Sequence, residues 1–165
     1  MAEAFDSHQF EGAAVAAVAA SVPEAELGSL RSSFNLIRAA NLLVQQLEAE
    51  VHRPAGWTMA GFRVMFCVWV GDNLEPRDIA RLSGLSRAAV SSVLNTLERD
   101  GLIVRTREST DRRLVTVRLS ADGETRLVAA YKKQNLLEQE FFAGLPAGSI
   151  EDFGDVLAGL LANGR

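Results

Sequence analysis

The fold is decided by residues 76–101, which read PRDIARLSGLSRAAVSSVLNTLERDG. Pro76 is placed for the first turn of a short helix that ends near Leu82, and the Ser-Gly-Leu that follows is typical of a tight turn. Ser86 is a good N-cap for a second helix, which Gly101 closes. Two helices joined by a short glycine-containing turn predict a helix-turn-helix.

The apolar spacing of these two helices predicts which faces are buried. In the first helix we expect the apolar residues Ile79, Ala80 and Leu82 to point inward. The inner face of the second helix is predicted to consist of Val90, Val93, Leu94 and Leu97. The outward set is then small or hydrogen-bonding: Ser86, Arg87, Ala88, Ser91, Ser92 and Asn95.

Such a face suits the major groove of DNA, which is about 12 Å wide and admits a helix with short side chains and an arginine that reaches guanine. The alternative is an ordinary solvated face. Solvated faces usually mix Glu and Lys, so this composition favours DNA reading.

Two strand-like runs, 102–107 and 114–119, follow the second helix and predict a hairpin, the wing of a winged helix-turn-helix. Its tip contains Arg112 and Arg113, which we expect to lie along phosphates or in the minor groove. Asp111 would repel phosphate, so its expected role is to support the wing by pairing an arginine or capping the turn.

The charge is unevenly distributed. The chain has a net charge of −4, yet residues 76–118 contain nine arginines and five acidic residues. This segment therefore carries +4 and the remainder −8, as expected of a DNA-reading module on an acidic scaffold. A solvated charged face explains the charge alone equally well.

Helical patterns flank this segment. Apolar stripes predict a helix from Pro23 to about residue 54, a long helix from Ser120 to about Ala143 and a last helix opened by Pro146. The pattern of residues 58–70 is apolar on nearly every side and predicts a central helix capped by Thr58. Residues 1–22 are expected to form an extra helix or a loose arm.

The composition limits the remaining possibilities. No apolar run reaches the roughly 18–20 residues that span a bilayer, and acidic residues before the alanine-rich stretch 12–20 argue against a secretory signal. The single cysteine, Cys67, forms no internal disulfide and fits the reducing cytoplasm. Because we found no catalytic motif around His8 or His52 and no Cys/His cluster, we expect no enzyme activity, no metal site and no cofactor. Cys67 is predicted to be buried, without a basic neighbour and inert.

Four segments together resemble the MarR family of bacterial transcription regulators. They are LSRAAVS (85–91), LERDGLI (97–103), DRR (111–113) and LSADG (119–123), and the stretch 62–65 is similar to that family's second helix. The resemblance implies a mainly helical fold with a small β wing, in which a winged helix-turn-helix lobe (55–119) joins a helical dimerisation layer (23–54 and 120–165). It also implies a homodimer, a pseudo-palindromic operator and a ligand pocket beside each lobe.

The dimer has separate support, because the stripes on the flanking helices exceed what one small lobe could cover. For the ligand, six residues lie on or beside the helices that would form the family's pocket: Arg38, Asn41, His52, Trp57, Arg63 and Trp69. Aromatic walls and an arginine suit a small aromatic carboxylate, although aromatic residues at helical spacing are more often core. A constitutive DNA-binding protein and a winged-helix protein-interaction module remain as alternatives.

Overall fold

The computed structural model describes residues 7–107, 115–146 and 148–163. These residues form a mainly helical fold with one small antiparallel sheet, which confirms the predicted fold class. The elements are α1 (Ser7–Ser21), α2 (Leu27–Leu47), a π-helical turn (Glu48–His52), α3 (Met59–Gly71), α4 (Pro76–Ser83), α5 (Arg87–Arg99), β1 (Ile103–Arg107), β2 (Val115–Leu119), α6 (Ala121–Phe142) and α7 (Ser149–Asn163). Two compact units result, Met1–Gln45 and Gln46–Arg165.

The first unit pairs α1 with the start of α2. Arg31 Nε lies 2.8 Å from Glu11 Oε1, and the rings of Phe10 and Phe34 stack with their centroids 5.9 Å apart. Residues 7–21 therefore form a packed helix, the first of the two forms expected for this segment.

The start of α2 corrects the sequence prediction. The helix begins at Leu27 rather than at Pro23. The Glu26 carboxylate accepts hydrogen bonds from the backbone N–H groups of Gly28 and Ser29, which satisfies donors that the first turn leaves unpaired. The Ser29 hydrogen bonds, more than that of Gly28, hold the pKa of Glu26 below its ordinary value.

The core of the second unit lies between α3, α4, α5 and α6. Met65, Ile79, Leu94 and Leu127 are completely or almost completely buried there. The predicted inward orientation of Leu82 is wrong, because its side chain is 51 % exposed.

Ser83 is buried in place of Leu82, with 2 % exposure. It follows Ile79 by four residues and therefore shares that residue's inner face, since an α-helix has about 3.6 residues per turn.

Three short segments build the sheet. Strands β1 and β2 pair antiparallel with Ile103 opposite Leu119. Leu74 adds a single antiparallel bridge to Val117, with N–H to O distances of 3.1 and 2.8 Å. The sheet is thereby tied to the segment between α3 and α4, which fixes the base of the wing against the helix-turn-helix.

A close backbone contact joins α6 to the start of the sheet. Ser120 Oγ donates to the Gly101 carbonyl at 2.7 Å and accepts from Gly123 N–H at 2.9 Å. A Cβ on Gly123 would lie 2.0 Å from the Leu102 carbonyl oxygen. Only glycine therefore fits at this position without a shift of the backbone.

The last helix begins at Ser149, three residues after the predicted start at Pro146. The N–H and the hydroxyl of Ser149 both donate to the Pro146 carbonyl, at 3.1 and 2.7 Å, before the helical pattern starts. Within the described ranges, no helix is both long and apolar enough to cross a membrane.

Candidate nucleic-acid interface

Helix α5 presents the polar face that the sequence predicted. Val90, Leu94 and Leu97 are buried, with at most 3 % exposure. The predicted DNA-facing residues are all exposed: Ser86, Arg87, Ala88, Ser91, Ser92 and Asn95. The structure therefore brings these six residues together on one accessible surface, which we call the α5 face.

Ser86 begins this surface as the N-cap of α5. Its hydroxyl oxygen accepts from Ala89 N–H at 3.1 Å, and its backbone is extended (φ −67°, ψ 153°). The O–H group can still donate to another acceptor. Since the N-terminus of a helix carries partial positive charge, Ser86 and Arg87 mark the end of the α5 face best suited to phosphate.

Asn95, at the middle of the α5 face, is held by the sheet. Arg105 of β1 donates through Nη2 to Asn95 Oδ1 at 2.7 Å, and its Nε lies 3.4 Å from Glu98 Oε2. This contact is not predicted by the sequence. The only signal available was the alternation of β1, which places Arg105 on the same side of the strand as the buried Ile103.

The free positive charge on the lobe is smaller than the arginine count implies. Arg77, Arg81 and Arg99 pair with neighbouring carboxylates at 3.0–3.3 Å. Within the described ranges, Arg63, Arg87 and Arg118 have no ion pair, and all three are exposed. These three arginines are more available to a polyanion than the paired ones, because exposed local pairs offset part of each other's field.

The predicted wing tip, Asp111, Arg112 and Arg113, lies outside the described residues, so its roles stay predictions from the sequence. The same holds for a contact between the α5 face and DNA, which is proposed below.

Four of the six predicted ligand residues belong to the second unit, and two of them lie in one aromatic row. His52 is completely buried and stacks on Phe62 at 4.6 Å; Phe62 stacks on Phe66 at 5.7 Å, and Phe66 contacts Trp69 at 5.8 Å. Trp69 is 39 % exposed and also contacts Tyr131.

A hydrogen-bond chain places an acceptor opposite Nε2 of His52. Gln134 Nε2 donates to Glu138 Oε1 at 2.8 Å, which turns Gln134 Oε1 toward His52 Nε2 at 2.9 Å. Because an amide oxygen only accepts, Nε2 must carry a proton. The Nδ1 atom is buried without a partner among the described residues.

The other two ligand candidates of this unit lie elsewhere. Arg63 is exposed, and its guanidinium lies beside Gly84, in the turn of the helix-turn-helix. A Cβ on Gly84 would lie 3.0 Å from Arg63 Nη2. Trp57 is 7 % exposed and lies under the guanidinium of Arg126, whose Cζ is 5.4 Å from its ring centroid.

In the first unit, the guanidinium of Arg38 lies 5.2 Å from the Phe34 ring centroid, and Asn41 is exposed. Within the second unit, the structure therefore places the four predicted ligand residues at several positions rather than in one cluster. Among the described residues, no group of three or more His, Cys, Asp and Glu could hold a metal ion.

Cys67 has a basic neighbour, Arg63, so the prediction that it has none is wrong. Burial raises the pKa of the Cys67 thiol, while the charge of Arg63 acts in the opposite direction and only partly offsets it. The thiol is only partly buried. Since the thiolate is the nucleophile, a raised pKa lowers reactivity, and the expectation of an unreactive cysteine keeps its physical basis despite the neighbour.

The helix-turn-helix, the attached sheet and the exposed α5 face define a winged helix-turn-helix protein, the class in which the second helix of the motif enters the DNA major groove. The family model described as the MarR family matches residues 57–115. The uncharacterized HTH-type transcriptional regulator YwaE of Bacillus subtilis (strain 168) is 32 % identical over 140 residues, which cover 85 % of this chain and 80 % of that protein. The chain belongs to the MarR family and is a transcriptional regulator, not an enzyme.

Two solved structures have the same fold. BpsR of Bordetella bronchiseptica matches with a TM-score of 0.72 and 21 % identity, covering 79 % of this chain and 98 % of that one. NadR, solved in complex with 4-hydroxyphenylacetate, matches with a TM-score of 0.66 and 25 % identity, covering 77 % and 89 %.

Proposed function

We propose that this protein is a dimeric transcriptional repressor of the cytoplasm that binds a pseudo-palindromic duplex operator and is released by a small aromatic ligand. The observation that carries the proposal is the α5 face. The α5 face consists of short hydroxyl and amide side chains, Ala88 and Arg87, and it contains no carboxylate. The two exposed acids that follow it, Glu98 and Asp100, are paired with Arg105 and Arg99. Groove entry needs this combination of small volume and unopposed hydrogen-bonding groups.

The expected division of the chain is part of the proposal. Residues 55–119 form the reading lobe, 23–54 and 120–165 the dimerisation layer, and 1–22 an N-terminal arm or extra helix. Helix α7 supports this assignment, because Ile150, Val156, Leu160 and Leu161 are 50–78 % exposed. Apolar side chains exposed along one helix usually mark an interface.

Two-fold symmetry would place the two α5 helices roughly 34–36 Å apart, one duplex turn. The proposed ligand is a small aromatic acid. The structure of BpsR was described for regulation of its DNA binding by 6-hydroxynicotinic acid, and NadR was solved with 4-hydroxyphenylacetate.

The first experiment selects bound fragments from genomic DNA with the purified protein and then measures affinity by fluorescence anisotropy. We expect a palindromic site and a steep loss of affinity, on the order of 10³-fold or more, between about 50 and 200 mM salt. Absence of duplex affinity at about 50 mM salt would favour a protein-interaction module. Operator binding that no aromatic acid weakens would favour a constitutive binder.

The second experiment tests the α5 face. Ser91→Glu places a carboxylate where base edges and phosphates are expected and should weaken operator binding by at least about tenfold, the cost of one lost base contact. Val70→Glu is the matched control, since it adds the same charge at an exposed helical position on α3, outside the α5 face and the proposed dimerisation layer. Arg112→Ala should also weaken binding. Tight operator binding by Ser91→Glu would contradict the assignment of α5.

The dimer is tested by sedimentation. Val156→Asp on α7 should yield monomers with reduced operator affinity, because a charge would be buried in the proposed interface. Val70→Asp changes a side chain of similar exposure, 69 % against 60 %, outside the proposed dimerisation layer. An unchanged dimer in Val156→Asp would remove α7 from the interface.

A further inference from the structure

A cleft of about 340 Å³ lies where three elements of the second unit meet: the end of α3, strand β2 and the first turn of α6. We call it the Asp72 cleft. Its volume is at the lower end of the range for small-ligand sites. The lining side chains are Val68, Trp69, Asp72, Arg118, Leu119 and Glu124. Of the six ligand residues predicted from the sequence, only Trp69 lines it, so the sequence does not predict this cleft.

Two carboxylates and one guanidinium line the cleft without neutralising each other. Asp72, Glu124 and Arg118 are all exposed, and none of them forms an ion pair with another described residue. Asp72 Oδ2 accepts from the side-chain amide of Asn73 at 3.0 Å, which leaves its other oxygen available. The cleft therefore offers separate partners for an anion and for cations, with space between them.

The backbone of each charged residue is fixed by regular structure. Asp72 is the C-cap of α3, and Arg118 lies within β2, where it pairs with β1. The N–H of Glu124 donates to the Ser120 carbonyl at 2.9 Å in the first turn of α6. Because rigid elements carry them, the three side chains start from defined positions around the cleft.

Trp69 supplies an aromatic wall. Its ring contacts those of Phe66 and Tyr131, with centroid distances of 5.8 and 6.5 Å, and these rings support the indole from the protein side. The residue remains 39 % exposed. An indole face attracts a cation within about 6 Å of its centroid, and the aliphatic stem of such a cation packs against apolar surface.

The charges select the class of ligand. A guanidinium such as that of Arg118 matches a carboxylate through two parallel hydrogen bonds. Asp72 and Glu124 each favour a cation, so the matching ligand has one carboxylate and two cations. A polyamine lacks a partner for Arg118, and a dicarboxylate would be repelled by the two acids. A free basic amino acid near neutral pH has the required three charges, and its side chain has an aliphatic stem.

We propose that the Asp72 cleft binds a free basic amino acid of the lysine type. Arg118 holds the α-carboxylate, Asp72 and Glu124 hold the two cations, and Trp69 packs against the aliphatic stem. This site is separate from the α5 face, and its ligand differs from the aromatic acid of the proposed function. Since the charged side chains are exposed, we expect a dissociation constant on the order of 1 mM.

Nuclear magnetic resonance provides a direct test on the full chain. The chain has two tryptophans, so ¹⁵N-labelled protein gives two indole N–H signals, and Trp69→Phe identifies that of Trp69. At constant ionic strength, L-lysine should shift the Trp69 signal with saturation and leave the Trp57 signal in place. Cadaverine, which lacks the carboxylate, and L-norleucine, which lacks the side-chain cation, should each bind at least about threefold more weakly, the loss expected for one exposed ion pair.

Variants assign the partners. Arg118→Met should weaken lysine binding by at least about threefold and abolish the preference for lysine over cadaverine. Arg63→Met removes another exposed arginine without an ion pair, outside the lining, and should leave lysine binding unchanged.

Glu124→Gln should reduce the preference for lysine over norleucine, whereas Glu140→Gln, at an exposed position of α6 outside the cleft, should not. An unchanged Trp57 signal shows that each variant is folded.

The proposal is overturned if lysine up to about 20 mM, well above the expected dissociation constant, leaves the Trp69 signal in place. It is also overturned if cadaverine and norleucine bind as tightly as lysine, or if Arg118→Met keeps the preference for lysine over cadaverine. Because no operator DNA enters this test, its failure leaves the proposed function standing, and a failure of operator binding leaves this site standing.

Discussion

Replacement of Arg105 by alanine should weaken operator binding without any direct change on the α5 face. Arg105 lies on β1, yet its guanidinium fixes Asn95 at 2.7 Å and approaches Glu98 at 3.4 Å. Without the Arg105 guanidinium, the Asn95 side chain can rotate among its rotamers. Glu98 then becomes an unpaired carboxylate beside the proposed DNA surface. Both changes disfavour binding to a polyanion.

The magnitude follows from the exposure of the contacts. A hydrogen bond from a charged donor contributes about 1.5–3 kcal/mol to stability, while exposed ion pairs contribute below about 1 kcal/mol. The Arg105 side chain is 26 % exposed and that of Glu98 is 44 % exposed. We therefore expect Arg105→Ala to lower the free energy of unfolding by about 2 kcal/mol in urea denaturation. Operator affinity should fall by about tenfold, equivalent to one weakened base contact.

A double-mutant cycle tests the reasoning. If Arg105 acts by placing Asn95, then Arg105→Ala should cost much less operator affinity in an Asn95→Ala background than in the parent chain. Arg105→Lys is the control, because lysine keeps the positive charge and lacks the planar guanidinium with its several N–H donors. Additive effects of the two alanine substitutions, or full operator affinity in Arg105→Ala, would refute the positioning role of Arg105.

Two further predictions concern stability and reactivity. Gly123→Ala should destabilise the fold by at least about 2 kcal/mol in urea denaturation, because its Cβ would meet the Leu102 carbonyl oxygen. Gly154→Ala on α7, where nothing lies within 4 Å, is the control and should be neutral or stabilising. Equal denaturation midpoints of the two variants would contradict the close contact at Gly123. Cys67 should react with a thiol-specific disulfide reagent at least about tenfold more slowly in the folded protein than in urea. Burial raises the pKa of Cys67 above the ordinary 9.0, so near that pH the folded state binds more protons than the unfolded state. The free energy of unfolding should therefore fall as the pH rises above 9.0. This fall should be smaller in Cys67→Ala.

Features that depend on neighbours along the chain could be predicted from the sequence. The starts of α3, α5 and α6 follow from the N-caps Thr58, Ser86 and Ser120, each of which accepts a hydrogen bond from the N–H three residues ahead. The exposed set on α5 follows from the helical period. These features are local, because an N-cap and a helical face involve residues within about one turn.

The errors and omissions come from contacts that the local pattern does not contain. Proline has a general preference for helix starts, which predicts a start at Pro23, but the side chain of Glu26 supplies the cap. Arg126 reaches the Ala55 carbonyl across 71 positions, and Arg105 reaches Asn95 across ten. Sequence periodicity places such residues on a face but does not pair them, so neither the contact of Arg126 with Ala55 nor the tether of Asn95 can be predicted from it.

The tether of Asn95 also changes what the α5 face is expected to read. An asparagine that recognises adenine uses its amide oxygen and its amide nitrogen together. In this chain the oxygen already accepts from Arg105, which can only donate, so the tether turns the oxygen toward β1 and leaves chiefly the N–H donors of Asn95 for a base. A donor alone pairs with N7 of adenine, with N7 or O6 of guanine and with O4 of thymine, so base substitution in the selected operator should disfavour only cytosine at this position rather than require adenine. A strict adenine requirement would mean that Arg105 releases Asn95 on binding, and Arg105→Ala would then leave that requirement intact.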